Sequence, residues 1–172
     1  MELTKEKVVI REIRKDDVPE AIKFVLKIFH EVFPFELGEA SRTQLFNMEE
    51  IYINKDDAFF AGAFTEGGTL VGTIAVQRYD NRIETIKDRF DLEETAEITK
   101  CYLDSAYRRM GIGSLLFEEA LRFCENNDRY KTLYLHTHKF LPGGFPFWKK
   151  KGFSIVLDEQ DEMEMVHMER EL

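Results

Sequence analysis

Cysteine, proline and tryptophan are scarce in this sequence. Its 172 residues include two cysteines, four prolines and one tryptophan. Cys101 and Cys124 have neither the spacing of a metal site nor the number needed for a disulfide framework. Cys101 falls in an apolar strand pattern and Cys124 in an amphipathic helical one, so we expect two buried thiols rather than a catalytic cysteine.

Positive charge and long apolar runs are also lacking. Lysine and arginine number 24 against 33 acidic residues, which gives a net charge of −9. Because nucleic-acid binders neutralise phosphates, this balance excludes general nucleic-acid binding and suits a cationic or neutral small partner. No run approaches the roughly 18 apolar residues of a membrane span, and MELTKEKVVIRE carries charge where a signal peptide has an apolar core. We therefore expect a cytoplasmic protein with no nucleic-acid or membrane partner.

The length and composition fit a single domain over residues 1–172. Hydrophobic residues make up 44% and charged residues 33%, and no linker or repeat divides the chain. Alternation predicts a first strand over Val8–Ile13, and the helix that follows has Pro19 in its first turn. A second helix is expected over about 40–53, and two apolar segments joined at Gly67-Gly68 predict a hairpin.

The second half of the chain alternates between strands and helices. The predicted elements are a strand in TAEITKCYLD, a helix in RMGIGSLLFEEALRFCEN, a strand in KTLYLHTH, a short helix that ends at Gly152, and strands in SIVLDE and EMEMVHMERE. Residues 80–94 are charged and turn-like, and form a loop or a short helix. Strand, helix and strand around the third helix indicate a parallel crossover. The order predicts an α/β (α+β) fold, in which helices cover the faces of a mixed sheet.

The segment RRMGIGS, Arg108–Ser114, lies between a predicted strand and a predicted helix. A dinucleotide-binding loop would need a third glycine where Leu116 stands, and the phosphate loop of nucleotide hydrolases is absent. Two glycines let the backbone turn tightly, and the free N–H groups of a helix start attract anions. The pattern therefore indicates a phosphate or pyrophosphate site, with an unoccupied turn and helix cap as the alternative.

The pattern R-x-x-G-x-G over Arg108–Gly113 resembles the acetyl-CoA-binding motif of the GNAT N-acetyltransferase superfamily. AEITKCYLDSAYRRMGIGSLL resembles that family's central strand and the helix after it. FWKKKGF resembles its later helix and turn, VVIREIRKDD its first strand and helix start, and VHMEREL its last strand. The resemblance touches nearly the whole chain and is strongest over residues 96–153. It implies a mostly antiparallel, twisted sheet of about six or seven strands with helices on both faces.

The resemblance also implies a reaction and a donor site. The protein would transfer an acetyl group from acetyl-CoA to a primary amine of a small molecule, by direct attack in a ternary complex and without a metal. The loop backbone would hold the pyrophosphate, and backbone groups of the preceding strand would pair with the pantetheine arm. The residues implied to bind acetyl-CoA are Cys101, Leu103, Arg108, Arg109, Met110, Gly111, Ile112, Gly113, Ser114 and Trp148.

Glu97 is the catalytic base that the resemblance implies. Strand alternation predicts that Glu97, Thr99, Cys101 and Leu103 share one face. A carboxylate has an unperturbed pKa near 4.3, so it would need burial or a water relay to deprotonate an amine. The alternative is a glutamate that forms an ion pair with Lys100 or with an arginine.

The general acid has no clear assignment. Many family members have a tyrosine four residues before the Gly-Phe turn, and Trp148 stands there in this chain. An indole N–H donates a hydrogen bond but does not give up its proton at working pH. The candidate substitutes are Tyr102, Tyr134, His136 and His138, and a reaction without an acid is a further alternative. Tyr102 is expected to face away from Glu97, and the two histidines, with no third ligand nearby, do not predict a zinc site.

The acceptor site is expected in FHEVFPFELG and in residues 78–94, which border the acceptor side in the family. Phe29 and Phe33 would line it and Glu36 would attract an ammonium group, unless the phenylalanines belong to the core. Two other functions remain open. One is a non-catalytic module that binds or senses acyl-CoA, since Trp148 replaces the tyrosine. The other is acetylation of a protein lysine or amino terminus. With any of these functions, the protein is expected to be a monomer or a homodimer.

Overall fold

The computed structural model describes residues 7–172. The first six residues of MELTKEKVVIRE, on which the expectation of no signal peptide rests, lie outside the described residues. Seven strands form one sheet, and its strands are β1 (Val8–Glu12), β2 (Phe59–Thr65), β3 (Leu70–Arg78), β4 (Thr95–Leu103), β5 (Thr132–His138), β6 (Ser154–Asp158) and β7 (Met165–Glu171). The helices are α1 (Val18–Val32), α2 (Glu39–Phe46), α3 (Met48–Tyr52), α4 (Ile112–Glu125) and α5 (Gly144–Lys150). None of these helices is long and apolar enough to cross a membrane.

The strand order across the sheet is β1-β2-β3-β4-β5-β7-β6. Every neighbouring pair is antiparallel except β4 and β5, which α4 connects as a parallel crossover. The predicted fold class, a mixed and mostly antiparallel sheet with helices, is confirmed. The second predicted helix is interrupted at Asn47, which has a non-helical ψ of 23° and separates α2 from α3. Asparagine side chains compete for backbone hydrogen bonds and favour such helix ends.

Each face of the sheet packs against its own helices. One face, with Ile74 and Ile98, packs against Leu116 and Phe117 of α4 in one core cluster. The opposite face packs against α1, α2 and α3, and its cluster includes Ala75, Phe60, Val25, Leu45 and Tyr52. The hairpin between β2 and β3 turns at Gly68, which has a φ of +86°. Only glycine adopts that conformation without strain.

β4 and β5 pair only at their first residues and then separate. The paired residues are Thr95–Glu97 on β4 and Thr132–Tyr134 on β5. Beyond Glu97, this edge of β4 has no partner strand within the described residues. A cavity of about 1070 Å³ lies in the gap and is bordered by Ile98–Leu103 and Leu135–His138. The separation of the two strands therefore opens a cavity at this edge of β4.

A β-bulge in β4 overturns the predicted alternation of that strand. Thr99 pairs with Ala75 and Tyr102 with Thr73, so Lys100 and Cys101 together oppose a single residue of β3. Lys100 has a φ of +52°, in the left-handed region, and its carbonyl oxygen accepts a 2.7 Å hydrogen bond from Thr73 Oγ1. One extra residue in a strand moves the following side chains to the opposite face.

The bulge reassigns the side chains that follow it. Cys101 and Leu103 pack against the core cluster on the α4 face, whereas Tyr102 packs against the cluster on the α1 face. Thr99 lies on the α1 face too, where its hydroxyl is 3.3 Å from Tyr52 Oη. The expectation that Cys101 and Leu103 share a face with Glu97 is therefore wrong, and so is the expectation that Tyr102 faces away from Glu97.

Candidate active site

The glycine loop opens α4 with an exposed backbone. Gly111 precedes the helix with a φ of +81°, and a Cβ placed on it would have no atom within 4 Å. The first intrahelical hydrogen bond of α4 runs from the N–H of Leu115 to the oxygen of Gly111. The N–H groups of Ile112, Gly113 and Ser114 are thus the free donors of a helix start, and they lie at one end of the cavity. This arrangement fits a pyrophosphate.

Arg108 and Arg109 border the same end of the cavity. Arg109 is exposed and has a φ of +63°, and neither guanidinium has a salt-bridge partner among residues 7–172. Met110 packs against the core and does not border the cavity. Ile112 is buried in the core by its side chain, so only its backbone can face a ligand. The loop therefore offers main-chain donors and two free positive charges.

Trp148, which borders the cavity, is packed in the core next to the loop. Its ring lies 5.7 Å from that of Phe117, 4.8 Å from Phe147 and 5.5 Å from Phe153, measured between centroids. The side chain is buried. Phe147 lies closer to the loop, because a Cβ on Gly113 would be 3.6 Å from its ring. The core role of the indole is therefore observed, and its contact with the donor stays a prediction.

Cys101 and Leu103 lie on the part of β4 that has no partner at the cavity edge. Their backbone groups can pair there with an extended ligand in the manner of an added strand. The side chain of Cys101 points into the α4 face, where burial raises the pKa of the thiol to about 12. Cys101 is accordingly a protonated thiol at neutral pH, which agrees with the expectation of a non-catalytic cysteine.

Glu97 forms a bidentate ion pair with Arg82. Arg82 Nη1 lies 2.6 Å from Oε1 and Nη2 lies 2.7 Å from Oε2. The carboxylate is 0% exposed, whereas the arginine side chain is 32% exposed and also contacts Asp80. Arg82 borders the cavity and Glu97 itself does not. The ion pair with an arginine, which the sequence left open as the alternative, is therefore present.

His136 lies between Glu97 and the cavity. Its Nδ1 is 3.9 Å from Glu97 Oε2, too far for a hydrogen bond, and is buried with no hydrogen-bond partner. The side chain is 28% exposed and borders the cavity. Burial, supported by the charge of Arg82, lowers the pKa of His136 to about 3. The imidazole is therefore neutral at physiological pH and can accept a proton rather than donate one as imidazolium.

The other candidate acids lie in different surroundings. Tyr134 is buried away from the cavity and donates a 2.7 Å hydrogen bond to Nδ1 of His167, whose Nε2 is 3.0 Å from Glu159 Oε2. His138 borders the cavity and donates through Nδ1 to the carbonyl oxygen of Met163. Tyr102 also borders the cavity, and burial raises the pKa of its phenol. Tyr102 is thus the candidate tyrosine among the residues that border the cavity, and its phenol is protonated at neutral pH.

Phenylalanines from the end of α1 meet aromatic rings from the end of β5. Phe33 stacks on Phe29 at 4.1 Å and packs edge-on against His138 and Phe140 at 5.3 and 5.6 Å. Phe29 is buried, Phe33 is half-buried, and both border the cavity. Glu36 is exposed on the same side. The three residues predicted for the acceptor site are therefore together, and Phe29 belongs to both the core and the cavity wall.

Two charged residues of the cavity were missed at the sequence level. Arg82 lies in the turn-like segment 80–94, where nothing in the sequence distinguishes it from its charged neighbours. The sequence indicates Lys100 only as an ion-pair partner for Glu97, because a lysine gives no sign of a bulge with positive φ. In the described residues, no group of three or more His, Cys, Asp or Glu side chains could hold a metal ion.

Known proteins resemble this chain in sequence. The family model described as "Acetyltransferase (GNAT) family" matches residues 22–153. The Probable N-acetyltransferase san of Drosophila melanogaster is 40% identical over 52 residues, which are 30% of this chain and 28% of that protein. N-alpha-acetyltransferase 50 of Danio rerio is 34% identical over 50 residues, 29% of this chain and 30% of that protein. The matched segments thus span less than a third of these curated relatives.

Solved structures resemble the whole chain. A GNAT-family acetyltransferase from Staphylococcus aureus Mu50 matches with a TM-score of 0.77 and 22% identity, over 96% of this chain and 99% of that one. The PaiA N-acetyltransferase from Thermoplasma acidophilum, determined in complex with coenzyme A, matches with a TM-score of 0.66 and 21% identity. This match covers 96% of this chain and 99% of that one. Since the family model covers most of the residues, this chain belongs to the GNAT family of acetyltransferases.

Proposed function

We propose that this protein transfers the acetyl group of acetyl-CoA to a primary amine of a small molecule, by direct attack in a ternary complex. One observation carries the proposal: a single cavity of about 1070 Å³ is lined both by the glycine loop and by the aromatic residues Phe29 and Phe33. A donor and an acceptor bound in it would meet between β4 and β5. Expectations of a cytoplasmic location, of no metal and of a monomer or homodimer stay predictions.

The donor would be held mainly by the backbone. The N–H groups of Gly113 and Ser114 would bind the pyrophosphate, and Arg108 and Arg109 would add positive charge. Residues Cys101–Leu103 would pair with the pantetheine arm, since this edge of β4 has no partner strand. Acetyl-CoA supplies the acetyl group as a thioester. The amine nitrogen would form the new bond to the carbonyl carbon as the thiolate leaves.

His136 would take up the proton of the attacking amine only transiently and pass it on to water, because an imidazole with a pKa of about 3 is too weak a base to keep it. Glu97 cannot do so directly, because Arg82 occupies both of its oxygens and the carboxylate does not border the cavity. In the tautomer with a proton on Nδ1, that proton of His136 would face Glu97, and Nε2 would be free to accept the proton of the amine. The carboxylate would then stabilise the imidazolium that forms, so Glu97 would be a positioning residue.

Tyr102 would donate a hydrogen bond to the departing thiolate, which leaves as the anion, because burial raises the pKa of the phenol and makes it too weak an acid to transfer its proton. The residue borders the cavity, and its phenol is fully protonated at neutral pH. Trp148 cannot transfer a proton either. Coenzyme A thiolate is itself a tolerable leaving group, so replacement of Tyr102 by phenylalanine would slow turnover without abolishing it.

A protein amino terminus is the second candidate acceptor. The similarity to N-alpha-acetyltransferase 50 favours it, although the matched segment covers 30% of that protein. The contacts of Phe33 with His138 and Phe140 favour a small molecule, because they close one side of the cavity with packed rings. The acceptor therefore has to be identified by assay.

Calorimetric titration with acetyl-CoA tests the donor site, with NAD and ATP as controls. Saturable micromolar binding of acetyl-CoA alone would support the proposal. Gly113→Trp should abolish this binding, because the indole would fill the space in front of the helix start. Gly67→Trp, in the remote β2–β3 hairpin, is the matched control, and thermal unfolding of both variants would verify that they fold. Absence of acetyl-CoA binding to the wild type would overturn the proposal.

An acceptor screen follows, in which thiol release from acetyl-CoA is measured with small amines and with amino-terminal peptides. Release with a small amine supports the proposed reaction. Acetylation of peptides alone, detected by mass spectrometry, would move the assignment to a protein acetyltransferase. Tight acetyl-CoA binding with no transfer to any amine would favour a non-catalytic sensing module.

A further inference from the structure

Lys100 borders the cavity at the bulge of β4. Its carbonyl oxygen is held by Thr73 Oγ1 at 2.7 Å, and its φ of +52° is unusual for a residue with a side chain. The side chain is partly buried and borders the cavity. Its Nζ lies 5.9 Å from the ring of Tyr52, a residue of the α1-face cluster. The bulge thus directs this cation to the face that carries Glu97 and Tyr102.

The ammonium of Lys100 has no anionic partner. Among the described residues it forms no salt bridge and no hydrogen bond; Glu97 and Arg82 act on it without direct contact, and its Nζ lies 5.9 Å from the centroid of the Tyr52 ring. Arg82, in contrast, is compensated by Glu97 and Asp80. A buried or half-buried charge is normally paired, because its desolvation is costly. A cation without a counter-charge in a ligand cavity indicates that the ligand supplies the negative charge.

We propose that Lys100 binds the carboxylate of the acceptor, and that the acceptor is a free amino acid with an apolar side chain. This inference rests on the proposed acetyltransferase function. One unpaired ammonium matches one carboxylate, whereas a phosphate dianion would need a second cation. The apolar side chain would lie against Phe29 and Phe33, which border the same cavity. The amine of the amino acid would then lie between Lys100 and His136.

A cationic Lys100 also favours the reactive form of the acceptor. Like charges disfavour each other, so the ammonium of Lys100 lowers the pKa of a neighbouring substrate ammonium and increases its neutral fraction. Once the carboxylate is bound, its charge offsets that of Lys100, and the desolvation cost of the lysine falls. Acceptor binding and lysine protonation are therefore coupled.

The coupling predicts a pH dependence of acceptor binding. Charged and titratable groups from each surrounding element face Lys100: Glu97 on β4, Arg82 in the 80–94 segment, His136 on β5 and Tyr52 on α3. Burial, opposed by Glu97 and supported by Arg82, lowers the pKa of Lys100 to about 8. The carboxylate of the acceptor binds only to the protonated form of Lys100. The affinity of the protein for the acceptor should therefore fall by up to about tenfold per pH unit above the pKa of Lys100.

The test compares two reaction products that differ only in the carboxylate. N-acetylphenylalanine and N-acetylphenylalaninamide would be titrated calorimetrically into the protein saturated with coenzyme A. We expect the acid to bind at least about tenfold more tightly than the amide, since an ion pair in a desolvated site increases affinity by about that factor or more. Lys100→Met should abolish the difference, and Lys100→Arg should retain most of it. An unchanged affinity of Lys100→Met for coenzyme A verifies that the variant folds.

A kinetic arm separates this role from general base catalysis. With phenylalanine and phenethylamine as acceptors, Lys100→Met should raise the KM of phenylalanine alone. A loss of kcat for both amines with the KM of phenylalanine unchanged would instead make Lys100 a base and overturn the inference. Equal binding of acid and amide to the wild type, with an amine still acetylated, would also overturn it and leave the proposed function intact. Failure of the wild type to bind coenzyme A would remove the proposed function and this inference together.

Discussion

Glu97 and Arg82 form an ion pair in which the two partners differ greatly in exposure. The carboxylate is 0% exposed and the guanidinium side chain is 32% exposed, with two contacts of 2.6 and 2.7 Å. Removal of only one partner from such a pair lowers the free energy of unfolding, because the remaining charge is no longer compensated. Glu97 therefore has a structural role in addition to its position behind His136.

Replacement of Glu97 by glutamine tests both roles. We expect the free energy of unfolding to fall by about 1–3 kcal/mol, because Arg82 keeps access to water and the loss stays below that of a fully buried pair. Turnover should fall far more than the affinity for acetyl-CoA. Urea unfolding, calorimetry and thiol release measure the three quantities. Glu93→Gln is the matched control, since Glu93 pairs with Arg78 at the surface, and should change stability by less than about 0.5 kcal/mol.

Equal turnover of Glu97→Gln and wild type at neutral pH would remove Glu97 from catalysis. The double variant Glu97→Gln/Arg82→Met should be more stable than the sum of the two single changes predicts, because it removes both charges. Strict additivity would mean that the pair does not interact in solution.

His136 and His138 make stability depend on pH. Burial lowers the pKa of both, to about 3 for His136, whereas an unfolded histidine has a pKa near 6.5. The unfolded chain therefore binds more protons below pH 6.5, and stability falls as the pH falls from about 6.5 toward 3. Each histidine contributes a slope of up to about 1.4 kcal/mol per pH unit. Urea unfolding between pH 7 and 5 should show this loss of stability. His136→Gln should reduce the slope of stability against pH by up to about 1.4 kcal/mol per pH unit, the contribution of one proton.

At the scale of elements, the bulge of β4 decides which residues reach the cavity. The hydroxyl of Thr73 on β3 donates to the carbonyl oxygen of Lys100, and Thr73 is fully buried. Thr73→Val keeps the shape and removes the hydrogen bond, so we expect a loss of about 1–2 kcal/mol in unfolding free energy from the unsatisfied carbonyl. Thr73→Ser keeps the hydroxyl and should retain acetyl-CoA affinity better than Thr73→Val. Equal affinities of the two variants would show that this bond does not maintain the donor edge.

Particular residues explain what the sequence could predict. Gly68 and Gly111 have positive φ and stand in recognisable turn contexts, so the hairpin and the loop before α4 were correctly expected. Lys100 has a positive φ as well, but a lysine gives no local sign of it. The interruption at Asn47 was not predicted, although asparagine favours helix ends, because the buried residues Leu45, Met48 and Tyr52 keep a helical spacing across it. The partner of Glu97 lies 15 residues away in a segment without periodicity, and only the assembled sheet brings the two together.

At the scale of the whole molecule, the donor site joins α4 to the edge of β4. A ligand that binds only the folded chain stabilises it by mass action, by about 2.7 kcal/mol at a concentration 100 times its Kd. For a chain of this size we therefore expect acetyl-CoA to raise Tm by roughly 5–10 °C. Gly113→Trp should show no such shift, and neither should the wild type with ATP. A shift with ATP of the same size would contradict the specificity of the loop for acetyl-CoA.

The aromatic contacts between α1 and β5 join two parts of the chain across the cavity. Phe33 contacts Phe29 and Phe35 on its own side, and His138 and Phe140 on the other, with centroids 4.1–6.0 Å apart in this group. Each such ring pair contributes about 0.5–1.5 kcal/mol beyond the burial of its area. The aromatic wall of the proposed acceptor site thus depends on one half-buried side chain, Phe33.

Phe33→Ala should therefore weaken acceptor use without affecting the donor. We expect kcat/KM for the amine found in the screen to fall at least about tenfold, since several ring contacts disappear and the wall loosens. The affinity for acetyl-CoA should stay within about twofold, because Phe33 is not part of the glycine loop. Phe46→Ala is the control, since Phe46 is 50% exposed on α2 and is not part of the wall. If Phe33→Ala instead lowers acetyl-CoA affinity and kcat/KM equally, the ring cluster maintains the entire cavity, and the acceptor site extends beyond this wall.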